Sequence, residues 1–297
     1  MGNVARFAFS LSAVALIAGC GVPVTPQQTP SSVLARPAAI AQPLAPGTNE
    51  VQYFSNYYAS TLLEYDYPKS ESPIGSISFS AGGLCTKGAR TFWATGGEIA
   101  EFKIGGATPI RVLKASASAC AIDPATGDLA ALTSGGVTIF RRARGRGKVI
   151  IAPLTEGYFD GYDDKSNLFV DGFNSGDSFA LVELKKGSST FQTITTNNAI
   201  GFPGSVQWDG TYLTILDQLA GAIYQYTVSG TEATLKGTVL LSGSSDCGQT
   251  WIAPPYVYCA DVGNDDGEVF KYPAGGSLIA TLSGMDFPLG VVSLRVR

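Results

Sequence analysis

Short apolar runs alternate with polar turns along residues 51–297, and one apolar, β-rich triplet recurs among them. Successive triplet centres are 39, 37, 39, 45 and 44 residues apart, at Phe54, Trp93, Ala130, Phe169, Thr214 and Tyr258. A period near forty residues is typical of architectures in which every repeat is one supersecondary unit. The pattern therefore predicts six structural repeats.

Each repeat has the hydrophobic pattern of four short strands. A second strand follows each triplet, and these strands end at Tyr65, Phe102, Phe140, Leu184, Tyr226 and Tyr272. Gly-, Asn- and Asp-rich hairpin signals separate the strands, a third strand follows, and a further strand precedes the triplet across a polar turn. Helical periodicity is not sustained over any comparable window, which argues against an α/β fold.

The two ends of the repeat region complement each other. The first triplet has no strand before it in the folded part, whereas residues 289–296 form a strand with no repeat after it. We therefore predict an all-β fold, a six-bladed β-propeller of four-stranded blades, closed by the C-terminal strand, which pairs into the first blade. Closure would remove exposed edge strands. A ring of seven blades is the alternative.

The beginning of the chain has the pattern of an export signal. An apolar run over 7–17, too short to span a bilayer, ends in the sequence Ile-Ala-Gly-Cys at 17–20. This ending resembles the lipobox of bacterial lipoproteins. The resemblance implies a signal peptide over 1–19, lipidation of Cys20, and lipid anchoring to a bacterial membrane, facing the periplasm or the cell surface. An ordinary signal peptide with an incidental cysteine is the alternative.

Proline recurs every few residues between the cysteine and the first repeat, and charge is nearly absent there. This composition predicts an extended tether over 20–48. The predicted domains are therefore the signal peptide at 1–19, the lipid-anchored tether at 20–48 and the propeller at 49–297.

Composition excludes several function classes. The chain has no histidine, which removes Ser-His-Asp and Cys-His catalysis and imidazole metal ligands. Its formal net charge of −4 and pI near 4.9 argue against nucleic-acid binding. We expect a monomer, without a cofactor, whose partners are the membrane and a protein or polysaccharide ligand.

Four cysteines lie within the repeats, and an even number in an exported chain indicates disulfides. Three connectivities are possible. We favour Cys85–Cys120, because the two residues take like positions on consecutive inner strands, and Cys247–Cys259, because they flank one hairpin. Buried thiols are the alternative, and a zinc site is disfavoured because there is no Cys-x-x-Cys pair.

The stretches ADVGNDDGEVFKYPAGG and IDPATGDLAALTSGGVTIF resemble NHL-type and gluconolactonase-like six-bladed propellers. Gluconolactonase-like proteins hold a divalent metal on the axis. The resemblance therefore makes Asp160, Asp163 and Asp209 candidate metal ligands in the central channel. The alternative is that each aspartate stabilises a β-turn, which is the more common role. The Glu-Gly-Pro motif of that family is missing. Streptogramin-lyase-like propellers rely on a histidine, so that resemblance does not extend to activity.

Three further features are candidates for binding. The acidic stretch 261–268 suggests calcium, although hairpin chemistry explains the same residues. Five cations in eight residues suggest contact with an anionic lipid or polysaccharide, and a solvated hairpin is the alternative. The five are Arg141, Arg142, Arg144, Arg146 and Lys148. Aromatic residues beside inner strands could stack on a sugar or pack between blades, and they are Trp208, Tyr212 and Trp251.

These observations favour a non-catalytic binding or scaffold module of the cell envelope over an enzyme, and they leave its ligand open. The alternative is a metal-dependent lactonase or esterase-like hydrolase that uses axial carboxylates. A third reading is a subunit of an envelope-assembly complex.

Overall fold

The computed structural model describes residues 49–88 and 90–296. The predicted signal peptide, Cys20 and the tether lie outside the described residues. Within the described ranges there is no helix that is long and apolar enough to cross a bilayer.

The first half of the described chain contains eleven short strands and one turn of 3-10 helix at Arg141–Ala143. The strands are β1 (Asn49–Asn56), β2 (Thr61–Tyr65), β3 (Gly75–Ser78), β4 (Leu84–Cys85), β5 (Thr91–Ala94), β6 (Ile99–Lys103), β7 (Arg111–Leu113), β8 (Cys120–Ile122), β9 (Leu129–Thr133), β10 (Gly136–Phe140) and β11 (Lys148–Ile150).

The second half contains the remaining strands. They are β12 (Glu156–Tyr162), β13 (Leu168–Phe173), β14 (Phe179–Leu184), β15 (Gln192–Thr196), β16 (Pro203–Trp208), β17 (Leu213–Asp217), β18 (Ala222–Ser229), β19 (Glu232–Ser242), β20 (Cys247–Ala253), β21 (Tyr256–Asp261), β22 (Asp266–Lys271), β23 (Gly276–Ser277), β24 (Ala280–Leu282) and β25 (Val291–Val296).

The strands pair into antiparallel four-stranded units, which we number 1 to 6 and give from the innermost strand outwards. They are unit 1 (β25-β1-β2-β3), unit 2 (β4 to β7), unit 3 (β8 to β11), unit 4 (β12 to β15), unit 5 (β16 to β19) and unit 6 (β20-β21-β22-β24). A short parallel pairing of β15 with β19 joins units 4 and 5, and β23 adds to β19. This arrangement of four-stranded blades confirms the predicted β-propeller.

The C-terminal strand lies in unit 1, as the sequence predicts. β25 pairs with β1 over six registered positions, from Asn49 opposite Val296 to Phe54 opposite Val291. Around the axis, β25 contacts β4, β4 contacts β8, and the contacts continue through β12, β16 and β20 back to β25. The strands of the six units described here lie within 49–296.

The hydrophobic core is divided among the spaces between neighbouring units. Six buried clusters fill these spaces, one between each pair of neighbours. A strand such as β17 is buried at every position because side chains on both of its faces pack against other units, whereas the outer strand β3 is only partly buried. Burial on both faces explains the continuous apolar triplets.

Because neighbouring strands of a unit are antiparallel, its turns alternate between two faces of the propeller, which we name proximal and distal. The proximal face carries the turns between first and second strands (86–88 with 90, 123–128, 163–167, 209–212 and 254–255) and between third and outer strands (66–74, 104–110, 141–147, 185–191, 230–231 and 272–279). The remaining turns and the connections between units form the distal face. At the rim the two sets meet between neighbouring units, as where Ser283 N donates to Glu71 O at 3.1 Å. β1 begins at the proximal face, so the preceding 48 residues join the propeller there.

Candidate binding surfaces

Asp160, the first axial candidate, lies on the innermost strand of unit 4. Its side chain is buried and neither carboxylate oxygen has a partner at hydrogen-bond geometry, although the backbone N–H of Ala121 is nearby. Asp171 is close to it, and one of its oxygens accepts a hydrogen bond from Phe159 N at 2.9 Å. Burial raises the pKa of both carboxyls well above the usual range, because desolvation disfavours the charged form.

Asp163 and Asp209 stabilise turns of the proximal face. One oxygen of Asp163 accepts hydrogen bonds from Lys165 N at 2.9 Å and Asn167 N at 2.8 Å. Asp209 accepts hydrogen bonds from Thr211 N at 2.8 Å and Tyr212 N at 2.7 Å. Both aspartates thus have the turn-stabilising role that the sequence left open beside the channel role.

The described residues contain one group of three side chains within metal-ligand reach of one another. Its members are Cys259, Asp261 and Glu268, whose ligand atoms lie within 4.8 Å, and all three belong to unit 6. Cys259 is in a disulfide, so its sulfur is not a thiolate ligand. The residues described here therefore do not assemble carboxylates from three blades at metal distance.

The acidic hairpin 261–268 is arranged as a turn. Asp261 is fully buried and accepts hydrogen bonds from backbone N–H groups, among them Ser245 at 2.7 Å and Asn264 at 3.0 Å. Glu268 is 1% exposed, and its Oε2 has no partner. Burial and the neighbouring acidic groups raise the pKa of Glu268 to about 7 and that of Asp266 to about 6. The hairpin therefore holds incompletely charged carboxyls at neutral pH.

The cysteines form the two pairs that the sequence favours. The first disulfide, Cys85–Cys120, links the innermost strands of units 2 and 3, and the second, Cys247–Cys259, links the first two strands of unit 6. Disulfides persist in oxidising compartments. They indicate an extracytoplasmic environment.

The cationic run occupies the turn between the third and outer strands of unit 3. Arg141, Arg142, Arg144, Arg146 and Lys148 are all exposed. The turn is nevertheless held in place, because Arg142 N donates to Asp128 Oδ1 at 2.8 Å and Arg111 Nη1 donates to Ala143 O at 3.2 Å. Arg142 and Ala143 both have φ of 50°, a left-handed conformation that is uncommon for these residue types.

The inner-strand aromatics contribute mainly to packing. Trp208 packs against the cluster between units 4 and 5, and Trp251 packs against the two clusters that flank unit 1. Tyr212 is half-buried in the turn that Asp209 stabilises. The sugar-stacking prediction for these residues stays untested.

A different aromatic group is exposed on the distal face, where unit 1 meets unit 6. We define the aromatic trio as Tyr57, Tyr58 and Phe287, with Tyr57 43% and Tyr58 65% exposed. The rings of Tyr58 and Phe287 are 4.8 Å apart between centroids, and those of Tyr57 and Tyr58 are 5.8 Å apart. Sequence reasoning missed the trio, because its members meet only when the ring closes.

The backbone around the trio is held tightly. Phe287 has φ of 59°, which is rare for a bulky residue, and its N–H donates to Asp265 Oδ1 at 3.0 Å. Tyr57 N donates to Phe287 O at 3.2 Å, and Asp286 N donates to Asn56 Oδ1 at 2.8 Å. A strained conformation that its surroundings maintain is a feature of functional sites.

No model of a known protein family matches the chain, and no curated protein matches it. Solved structures match its fold. A chain in the crystal structure of a nidogen/laminin complex has a TM-score of 0.65 at 12% identity, covering 82% of this chain and 98% of that chain.

Two bacterial proteins of unknown function are similar in the same way. The one from Bacteroides caccae has a TM-score of 0.63 at 10% identity, with 84% of this chain and 100% of that chain covered. The one from Desulfotomaculum acetoxidans has a TM-score of 0.55 at 14% identity, with 84% and 90% covered. Identities this low support the propeller fold alone.

Proposed function

We propose that this protein is a lipoprotein of the bacterial cell envelope, attached through Cys20, whose propeller is a non-catalytic binding module. We further infer that the six units make one six-bladed ring. The unbroken circle of contacts among innermost strands and the six clusters between neighbouring units support this count.

The aromatic trio is the observation that carries the binding function. Large aromatic rings provide apolar contact area with little loss of conformational entropy, and they are enriched at binding sites. Tyr57 and Tyr58 are exposed and Phe287 is half-buried beside them, the rings are in mutual contact, and the backbone is held by hydrogen bonds from two units. A preorganised surface of this kind suits a protein side chain or a sugar ring.

The acidic groups argue against the hydrolase alternative. Hydrolysis through an axial metal needs accessible, ionised carboxylates from several blades. Asp160 is buried with a raised pKa, and Asp163 and Asp209 stabilise proximal turns. The structural neighbour from the nidogen/laminin complex belongs to a protein–protein assembly, and this similarity is compatible with a binding role here.

Binding can be tested with the chain from residue 20 carrying Cys20→Ser, which contains the whole propeller. Immobilised protein would be exposed to a panel of purified envelope polysaccharides and envelope proteins. For any ligand that binds, Tyr57→Ala with Tyr58→Ala should weaken the affinity about ten-fold or more, as truncation of interface aromatics does.

The matched control is Ile151→Ala with Leu219→Ala, since both residues are exposed and apolar on the same face, at 72% and 80% exposure. Equal losses for the control and the trio variant would contradict the assignment. Metal-dependent turnover of a lactone or an ester, abolished by a chelator, would contradict the non-catalytic function.

A further inference from the structure

The two faces of the propeller differ in charge. Of the Lys and Arg residues between 49 and 296, all except Lys114 and Lys236 lie in a proximal turn or within two residues of a strand end at that face. Among the described residues, exposed acidic residues occur on both faces, with three on the proximal face and five on the distal face. They are Glu71, Asp164 and Glu232 on the proximal face, and Glu156, Asp177, Asp246, Asp265 and Asp286 on the distal face. Although the whole chain is acidic, its cations are concentrated on the face where the preceding residues join the propeller.

A cleft between units 2 and 3 opens on the proximal face. It has a volume of about 280 Å³, and its lining includes Lys87, Arg111 and Arg142. Arg111 lies over the ring of Trp93, with 5.6 Å from its guanidinium carbon to the ring centroid, and it is 3.5 Å from Glu101. Glu101 offsets one cation, so the cleft retains positive charge that suits a phosphate group.

Exposed apolar side chains accompany these cations. Ile74 and Ile110 immediately precede the outer strands of units 1 and 2, and they are 56% and 49% exposed. Val149, on the outer strand next to the cationic run, is 52% exposed. Exposed cations beside exposed aliphatic side chains are typical of surfaces that lie on a membrane interface.

We propose that the proximal face docks on anionic phospholipid headgroups, with phosphates taken up by the cleft between units 2 and 3. Charge complementarity supports phospholipid headgroups as the ligand of this face. The position of Asn49 supports them too, because the proposed tether joins the propeller there, at the same face. A basic surface adds to the membrane binding that the acyl chains of an anchored protein provide. Docking would turn the acidic distal face and the aromatic trio away from the membrane. This inference rests on the envelope location proposed above.

Vesicle binding tests docking without the acyl chains. The chain from residue 20 with Cys20→Ser would be sedimented with vesicles of phosphatidylcholine alone, or of phosphatidylcholine mixed with phosphatidylglycerol. We expect retention on the mixed vesicles only, and its loss as salt rises, because the surface potential acts within a Debye length. Arg144→Gln with Arg146→Gln should weaken retention about thirty-fold, since one cation near an anionic surface contributes about five-fold.

The matched control is Lys114→Gln with Lys236→Gln, which removes the same charge from outside the proximal face. Its retention should equal that of the parent protein. Equal weakening by both pairs, retention that salt does not change, or binding to soluble dextran sulfate without vesicle binding would overturn the proposal. Failure of vesicle binding would leave the ligand test of the aromatic trio intact, because the two tests use opposite faces.

Discussion

Replacement of Glu268 by glutamine should make the stability of this protein less dependent on pH. Glu268 is 1% exposed and lies among acidic groups, and its folded-state pKa is about 7 against 4.5 for an ordinary glutamate. A folded-state pKa above the unfolded value means that the folded chain binds more protons between pH about 4.5 and about 7. The contribution of Glu268 to stability therefore decreases as pH rises through this window.

The magnitude follows from the shift. One pKa unit corresponds to 1.36 kcal/mol, so a carboxyl shifted from 4.5 to about 7 costs about 3 kcal/mol when both states are ionised. Glutamine cannot ionise, and its oxygen can still accept the hydrogen bond from Asn264 Nδ2, 3.2 Å from Glu268 Oε1. Relative to the parent, Glu268→Gln should gain about 3 kcal/mol of unfolding free energy between pH about 4.5 and about 7.5.

Urea unfolding of both proteins at several pH values, with a chelator present, measures this difference. Other buried acids such as Asp160 titrate in both proteins, so their contributions cancel in the comparison. Glu156→Gln is the control, because Glu156 is an exposed glutamate beside the distal face, and its difference from the parent should stay nearly constant. A difference for Glu268→Gln that is flat with pH, or that changes in the opposite direction, would refute the reasoning.

Two further predictions concern the links within and between units. Cys85→Ala with Cys120→Ala should lower the unfolding free energy by about 4 kcal/mol, because the disulfide closes a loop of 35 residues. Cys247→Ala with Cys259→Ala should lower it by about 3 kcal/mol, because that loop has only 12 residues. A clearly larger loss for the shorter loop in urea titrations would contradict the dependence on loop length. Gln249→Leu should cost about 3 kcal/mol, because Gln249 Oε1 accepts from Leu84 N at 3.0 Å and Val291 N at 3.1 Å and so bridges three units. An unfolding midpoint equal to that of the parent would show that this bridge is dispensable.

The strands could be predicted from the sequence because the second strand of each unit is buried on both faces. That burial makes segments such as the one around Phe169 continuously apolar, and their spacing then gives the repeat. The Cys85–Cys120 disulfide could be predicted from the repeat as well, because equivalent positions on consecutive innermost strands lie close together. Both inferences depend only on strand order.

The candidate binding surface could not be predicted from local sequence patterns. Tyr57 lies in a hairpin turn and Phe287 in the connection to the last strand, and neither has a local signal that marks it. Their contact depends on the loop conformation at the ring closure, including the left-handed backbone of Phe287. Asp163 and Asp209 illustrate a second limit, because an aspartate after a strand has the same sequence signature in a turn and in a channel.

The register that places Asn49 opposite Val296 brings the two ends of the propeller side by side. A short linker between them would make the chain circular, and new termini could be opened in an exposed turn without breaking any unit. Opening the chain in the distal turn 174–178 and moving the proposed tether there would reverse the orientation of the propeller relative to its attachment point. Such a permutant would keep every strand and present the opposite face to whatever surface holds the proposed anchor.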